Sequence, residues 1–158
     1  MNAPETWLLL FGIGLVAGLR ALTPPAAVSW AARLGWLNLH GTPFAFLGST
    51  IAVALFTLGA AGELVTDQLP STPARTVPVQ FGARIVTGGF SAAALALSAG
   101  QSLFLGIALG ILGAVAGTLG GYHARRGLVK GWKVPDFTIA VPEDIVAVSL
   151  GLFIASRF

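Results

Sequence analysis

Five apolar runs, separated by short polar breaks, organise the chain. The first extends from about Thr6 to Leu22 and halts at "TPP". Proline is accepted in the first turn of a helix but is hard to cross, because it lacks an N–H and clashes with the preceding turn. Pro24 and Pro25 therefore predict that the first helix is broken at Thr23-Pro24-Pro25. A second, shorter helix over "AAVSWAARLGWL" should follow, too short to span a bilayer and either interfacial or packed. The remaining runs cover about Pro43 to Asp67, Pro78 to Ala99, Ser102 to Arg125, and Pro142 to Ser156. The last is short for a hydrocarbon core of ~30 Å, which needs ~20 residues, unless "FTIAV" extends it.

Composition turns these runs into membrane spans. Of 158 residues 55% are hydrophobic and 9% charged, where ordinary soluble domains are about 25% charged. So few charges cannot coat a soluble globule of this size, and a bilayer asks for no such coat. The expectation is an all-α integral membrane protein, one transmembrane domain over 1–158 with about five spans. With no cysteine, disulfides and thiolate metal sites are excluded. The net charge of +3 reports loop orientation here, not nucleic-acid binding. The N-terminus carries Glu5 in place of the basic stretch of a secretory signal, which marks the first run as a retained helix.

Lys and Arg set the expected orientation. Five crossings put the N-terminus, the loop with Arg75 and the loop with Arg125, Arg126, Lys130 and Lys133 on one side. Arg33 and Arg157 face the other. The first side is then cytoplasmic, with the N-terminus in and the C-terminus out, in a bacterial inner membrane. Trp7, Trp30, Trp36 and Trp132 fall near span ends, where aromatic belts form. "GIGLVAG" (Gly12 to Gly18) echoes "GILGAVAG" (Gly110 to Gly117). Each precedes a tryptophan-bearing segment and then an acidic motif. This suggests inverted repeat units over 6–67 and 102–156, joined by the helix 78–99, as transporters use.

The candidate chemistry lies in ionisable groups within the apolar runs. Glu63 and Asp67 stand at i and i+4, hence on one helix face. Charges at such depth are costly unless paired or hydrated, and they mark sites or pathways; snorkelling to the interface is the plain structural alternative. Arg84 sits as far into the third run as Glu63 sits into the second, so a pair with Glu63 or Asp67 is expected. Glu143 and Asp144 in "VPEDIVAV" read as a helix start, Pro142 in the first turn and the acids on the positive dipole end. They also fall on the same predicted side as Glu63 and Asp67. Arg20 differs, lying late in the first run, nearer the outer side, beside the break. A broken helix with a buried arginine offers backbone groups and positive charge to an anion.

Glycines at Gly14/Gly18, Gly106/Gly110 and Gly113/Gly117/Gly121 repeat the GxxxG spacing of close helix packing, within one subunit or in a homo-oligomer. There is no phosphate-binding glycine loop, GxSxG, HExxH or dinucleotide fingerprint.

At "GLRALTPPAAVSWAA", "LPSTPARTVP", "GGYHARR" and "PEDIVAV" the chain resembles a bacterial family of small integral membrane proteins, domain of unknown function 4126. The resemblance implies membrane class over most of the chain and no mechanism. Function is then read from the ionisable groups. The first expectation is a small inner-membrane transporter or channel-like protein for an ion or a small or lipid-linked anionic substrate. In it Glu63, Asp67, Glu143 and Asp144 hold a coupling proton or cation, and Arg20 and Arg84 contact the anion or pair the acids. It needs no cofactor; its partners are the lipid bilayer and further copies of itself, with no nucleic acid. The alternatives are a membrane enzyme acting on lipid phosphate, with Mg²⁺ held by Glu63, Asp67, Glu143 and Asp144, and a structural or regulatory protein without a site.

Overall fold

The structure is a computed structural model that describes residues 2–67, 76–132 and 136–158. Arg75 and Lys133 lie outside the described residues. The described residues fold into six α-helices and one 3-10 turn: α1 (Ala3–Leu19), α2 (Thr23–Arg33), the turn Ala45–Gly48, α3 (Thr50–Thr66), α4 (Pro78–Ser98), α5 (Leu103–Trp132) and α6 (Asp136–Ala155). Helix starts follow local chemistry. Asn2 and Glu5 form a capping box at α1, and the Ser49 hydroxyl accepts from the Ala52 amide at α3. Pro78 opens α4, where its missing N–H costs nothing.

The apolar runs are helices, as expected, but among the described residues only three are long and apolar enough to cross a membrane: α4, the part of α5 from Leu103 to Val129, and the part of α6 from Thr138 to Ala155. α1 and α3 are apolar but have 17 residues each, about 25 Å at ~1.5 Å per residue. They fall short of a ~30 Å core. α6 begins at Asp136 and carries Pro142 inside it, so Glu143 and Asp144 stand two turns into the helix. Their expected place in its first turn is corrected.

Glycine contacts give the helix directions. A Cβ added at Gly14 would run into the Gly110 backbone, and one at Gly18 into Ala114 and Thr118; α1 and α5 are therefore parallel. Gly106 lies against Ala92 and Ala96 while Gly110 lies against Gly88, so α4 opposes α5. Gly12 faces Ile154 and Val16 faces Gly151, so α6 opposes α1. Leu22 packs on Gly59 while Ala32 packs on Gly48, so α2 opposes α3. Phe90 of α4 meets Phe56, and Arg84 meets Asp67 further along α3, so these helices oppose too. Thus α1, α3 and α5 run one way, and α2, α4 and α6 run back.

The short piece after "TPP" is packed, one of the two placements expected for it. Ala27, Val28 and Ala31 are buried in the core, and α2 with the segment to Asn38 carries the chain back until the Ser98 hydroxyl accepts from the Asn38 amide at 3.1 Å. This added reversal corrects two expectations. It places both termini at the same end of the bundle, against the expected N-terminus in and C-terminus out. It also removes the inverted repeat, because the echoing segments of α1 and α5 run in the same direction.

Candidate ion-pair site

The break between α1 and α2 creates the site. Pro24 and Pro25 cannot donate backward along a continuing helix and their rings would strike carbonyls one turn earlier, so helical geometry ends at Leu19 and Arg20 is extended (φ −140°, ψ 113°). The prolines lie inside the first turn of α2, and the break itself falls at Arg20 to Leu22. That leaves the Ala21 and Leu22 amides without helical acceptors. Glu63 of α3 supplies both: Oε1 accepts from Ala21 at 2.6 Å and Oε2 from Leu22 at 2.7 Å. Charge-assisted bonds of this kind are about twice as strong as neutral ones.

Arg20 is fully buried. Its Nε donates to Asp144 Oδ1 at 2.5 Å, Nη2 pairs with the same carboxylate, and Nη1 bonds Asp67 Oδ2. Arg84, 1% exposed, places Nη2 3.6 Å from Asp67 Oδ2 and 3.9 Å from Glu63 Oε1. The charges form a ring that starts and ends at the helix break, in the order Arg20, Asp67, Arg84, Glu63 and the Ala21 and Leu22 amides. Asp144 closes the side toward α6. Four elements contribute, each at the same end of the bundle. Burying these ions separately would cost several kcal/mol each, and only mutual pairing with hydrogen bonds makes the burial tolerable.

Most of the sequence-predicted residues meet here: Arg20, Glu63, Asp67, Arg84 and Asp144. The expected Arg84 pairing with the α3 acids is present. One expectation fails. Arg20 does not lie at the opposite side from the acids, since the return of α2 brings the end of α1 level with the end of α3. Of the two acids of α6, either of which was expected to approach, Asp144 is the one that pairs with Arg20; successive residues on a helix point about 100° apart, and the Glu143 carboxylate lies 3.5 Å from Arg125 Nη1 of α5. Among the described residues no three Asp, Glu, His or Cys side chains gather where they could hold a metal ion. The expected metal quartet of Glu63, Asp67, Glu143 and Asp144 is not assembled.

Sequence reasoning missed the partner of the freed amides. It foresaw an anion at the break but not that the chain carries that anion itself, as Glu63. It also missed Arg125 as the partner of Glu143, although "GGYHARR" held the signal.

No curated protein and no solved structure matches the chain. A family model described as Domain of unknown function (DUF4126) matches residues 7–156, nearly the whole length and every element of the ion-pair site. The protein therefore belongs to the DUF4126 family of unknown function.

Proposed function

We propose that the protein is a small membrane transporter or channel-like protein in which the Arg20–Asp67–Arg84–Glu63 ring, with Asp144, handles a proton or a monovalent cation. The observation that carries this reading is Glu63, a carboxylate seated on the two amides that a broken helix leaves free. Broken helices with freed backbone groups are how membrane transporters build ion and substrate sites. A proton or cation arriving at Glu63 weakens its hold on Ala21 and Leu22 and loosens α3 from the α1–α2 junction. That couples occupancy to helix position. An anionic substrate would use the same amides together with Arg20 and Arg84 once Glu63 leaves them.

The test is ion flux in proteoliposomes carrying an internal pH dye, with protons driven by a potassium diffusion potential. The wild type should move protons faster than empty vesicles, and Glu63→Gln should abolish that flux while melting at nearly the same temperature. Vesicles that pass neither protons, sodium nor potassium above the empty-vesicle rate would sink the proposal. A structural reading is favoured by the pairing itself, since each acid of the ring faces a cation or amide. On that reading Glu63→Gln lowers the melting temperature and no flux exists to lose. An oligomer remains a proposal, but it would not form through the paired glycine positions in the middle of α1 and α5. Gly14, Gly18, Gly110, Gly113 and Gly117 are spent inside one chain.

A further inference from the structure

A groove of about 250 Å³ runs between α2, α3 and α6, with walls that are almost wholly apolar. It extends from Thr23 to Trp30 along α2 and from Thr57 to Leu64 along α3. Seven residues of helix cover about 10 Å at ~1.5 Å each. The slot is narrower than the ~10–12 Å of an α-helix with its side chains, so a second copy could enter it only by its side chains. The groove suits a single extended hydrocarbon chain.

Its position is as telling as its width. The upper end begins where the ion-pair ring stops: Thr23 follows Leu22, Leu64 follows Glu63, and Val148 lies one turn beyond Asp144 on the same face of α6. The lower end is closed by the Trp30 indole, which donates to the Thr57 hydroxyl at 3.0 Å. Thr23 is 4% exposed and its hydroxyl has no hydrogen-bond partner. Leu58 of α3 and Ile145 and Leu152 of α6 flank the region and are exposed. In a chain with membrane-crossing helices those faces meet hydrocarbon. The groove therefore opens toward lipid at its side and toward fixed charges at its top, the polarity of an amphiphile.

We propose that this groove binds one acyl chain of an amphiphile, with the chain lying between α2, α3 and α6 and its polar end at Thr23 beside the Glu63 seat. The inference rests on the membrane reading of the chain and not on transport. Trp30 supplies the probe. In a variant keeping Trp30 alone (Trp7→Phe, Trp36→Phe, Trp132→Phe), 9,10-dibromostearate in detergent should quench the indole saturably. A variant keeping Trp7 alone, on α1 away from the groove, should show only the weak, linear quenching of micelle partitioning. Ala60→Phe and, from the opposite wall, Ala26→Leu should each remove the saturable part; either variant that melts like its parent suffices. Equal quenching of Trp30 and Trp7, or saturable quenching that survives both groove-filling variants, overturns the proposal. So does protection of Trp30 that disappears when the protein is diluted to monomer, because a second copy would then be the occupant. The readout needs no flux, so a negative result here leaves the ion-handling proposal standing, and the reverse also holds.

Discussion

Arg20 holds the site together because one planar guanidinium serves two carboxylates on different helices. Nε and Nη2 engage Asp144 and Nη1 engages Asp67, a fork that a lysine ammonium cannot reproduce. Arg20→Ala would remove the buried cation that ties Asp67 to Asp144, the kind of loss that costs about 3–5 kcal/mol. We expect little folded protein by size exclusion in detergent, and Arg20→Lys should rescue only part of the yield. Glu63→Gln differs, because the amide oxygen still accepts from one of the two backbone N–H groups and no cation is stranded. Its melting temperature should fall far less than that of Arg20→Ala. Arg84→Ala should fall between them, since Asp67 keeps Arg20 while Glu63 keeps its amides. A Glu63→Gln variant as unstable as Arg20→Ala would mean that the carboxylate is mainly a fastener between α3 and the helix break.

Among the elements, α1 and α5 show how far sequence could reach. The GxxxG spacing gave close packing, and the pair is as close as backbones allow: a Cβ at Gly113 would collide with Phe11 and Leu15, and one at Gly117 with Leu15. Overpacking of this kind costs about 1–3 kcal/mol where side chains can give way, and more where, as here, the obstacle is backbone. Gly113→Val and Gly117→Val should lower the melting temperature sharply, whereas Gly62→Ala, with nothing within 4 Å, should leave it unchanged or slightly raised. Equal loss in all three would contradict the α1–α5 contact. The same spacing could not say which helix is the partner, because small residues carry no address. The charges were legible for a different reason. Glu63, Asp67 and Arg84 are near in sequence and their helices are neighbours, so their meeting followed from counting turns. Arg20 and Asp144 are 124 residues apart, and their pairing depends on α2 reversing the chain. That reversal was hidden because an 11-residue helix looks too short to change direction for the whole bundle.

At the scale of the whole molecule, the reversal fixes where the termini lie. The C-terminal ends of α1, α3 and α5 share one end of the bundle with the N-terminal ends of α2, α4 and α6, while Ala3 and Ala155 point to the other. Along the sequence, Arg75 precedes α4 and Arg125, Arg126, Lys130 and Lys133 cluster about the α5–α6 connection. The opposite end has Arg33 and Arg157. Cytoplasmic loops carry the excess of Lys and Arg, so the end holding the ion-pair ring should face the cytoplasm and both termini should face away from it. Residues 1–19 contain no Lys or Arg. Because the chain has no cysteine, single cysteines report the answer without background. Ala3→Cys and Ser156→Cys should react with a membrane-impermeant maleimide added to intact spheroplasts. Gly127→Cys, exposed on α5 with nothing within 4 Å of its added Cβ, should react only after the membrane is opened. If Ser156→Cys is labelled while Ala3→Cys is protected, the N-terminus is inside. In that case α2 does not carry the chain back along the bundle, and Arg20 could not share a level with Asp67. Labelling of both termini, with Gly127→Cys protected, is the outcome that the ion-pair ring requires, since the ring forms only if α1 and α3 end on the same side.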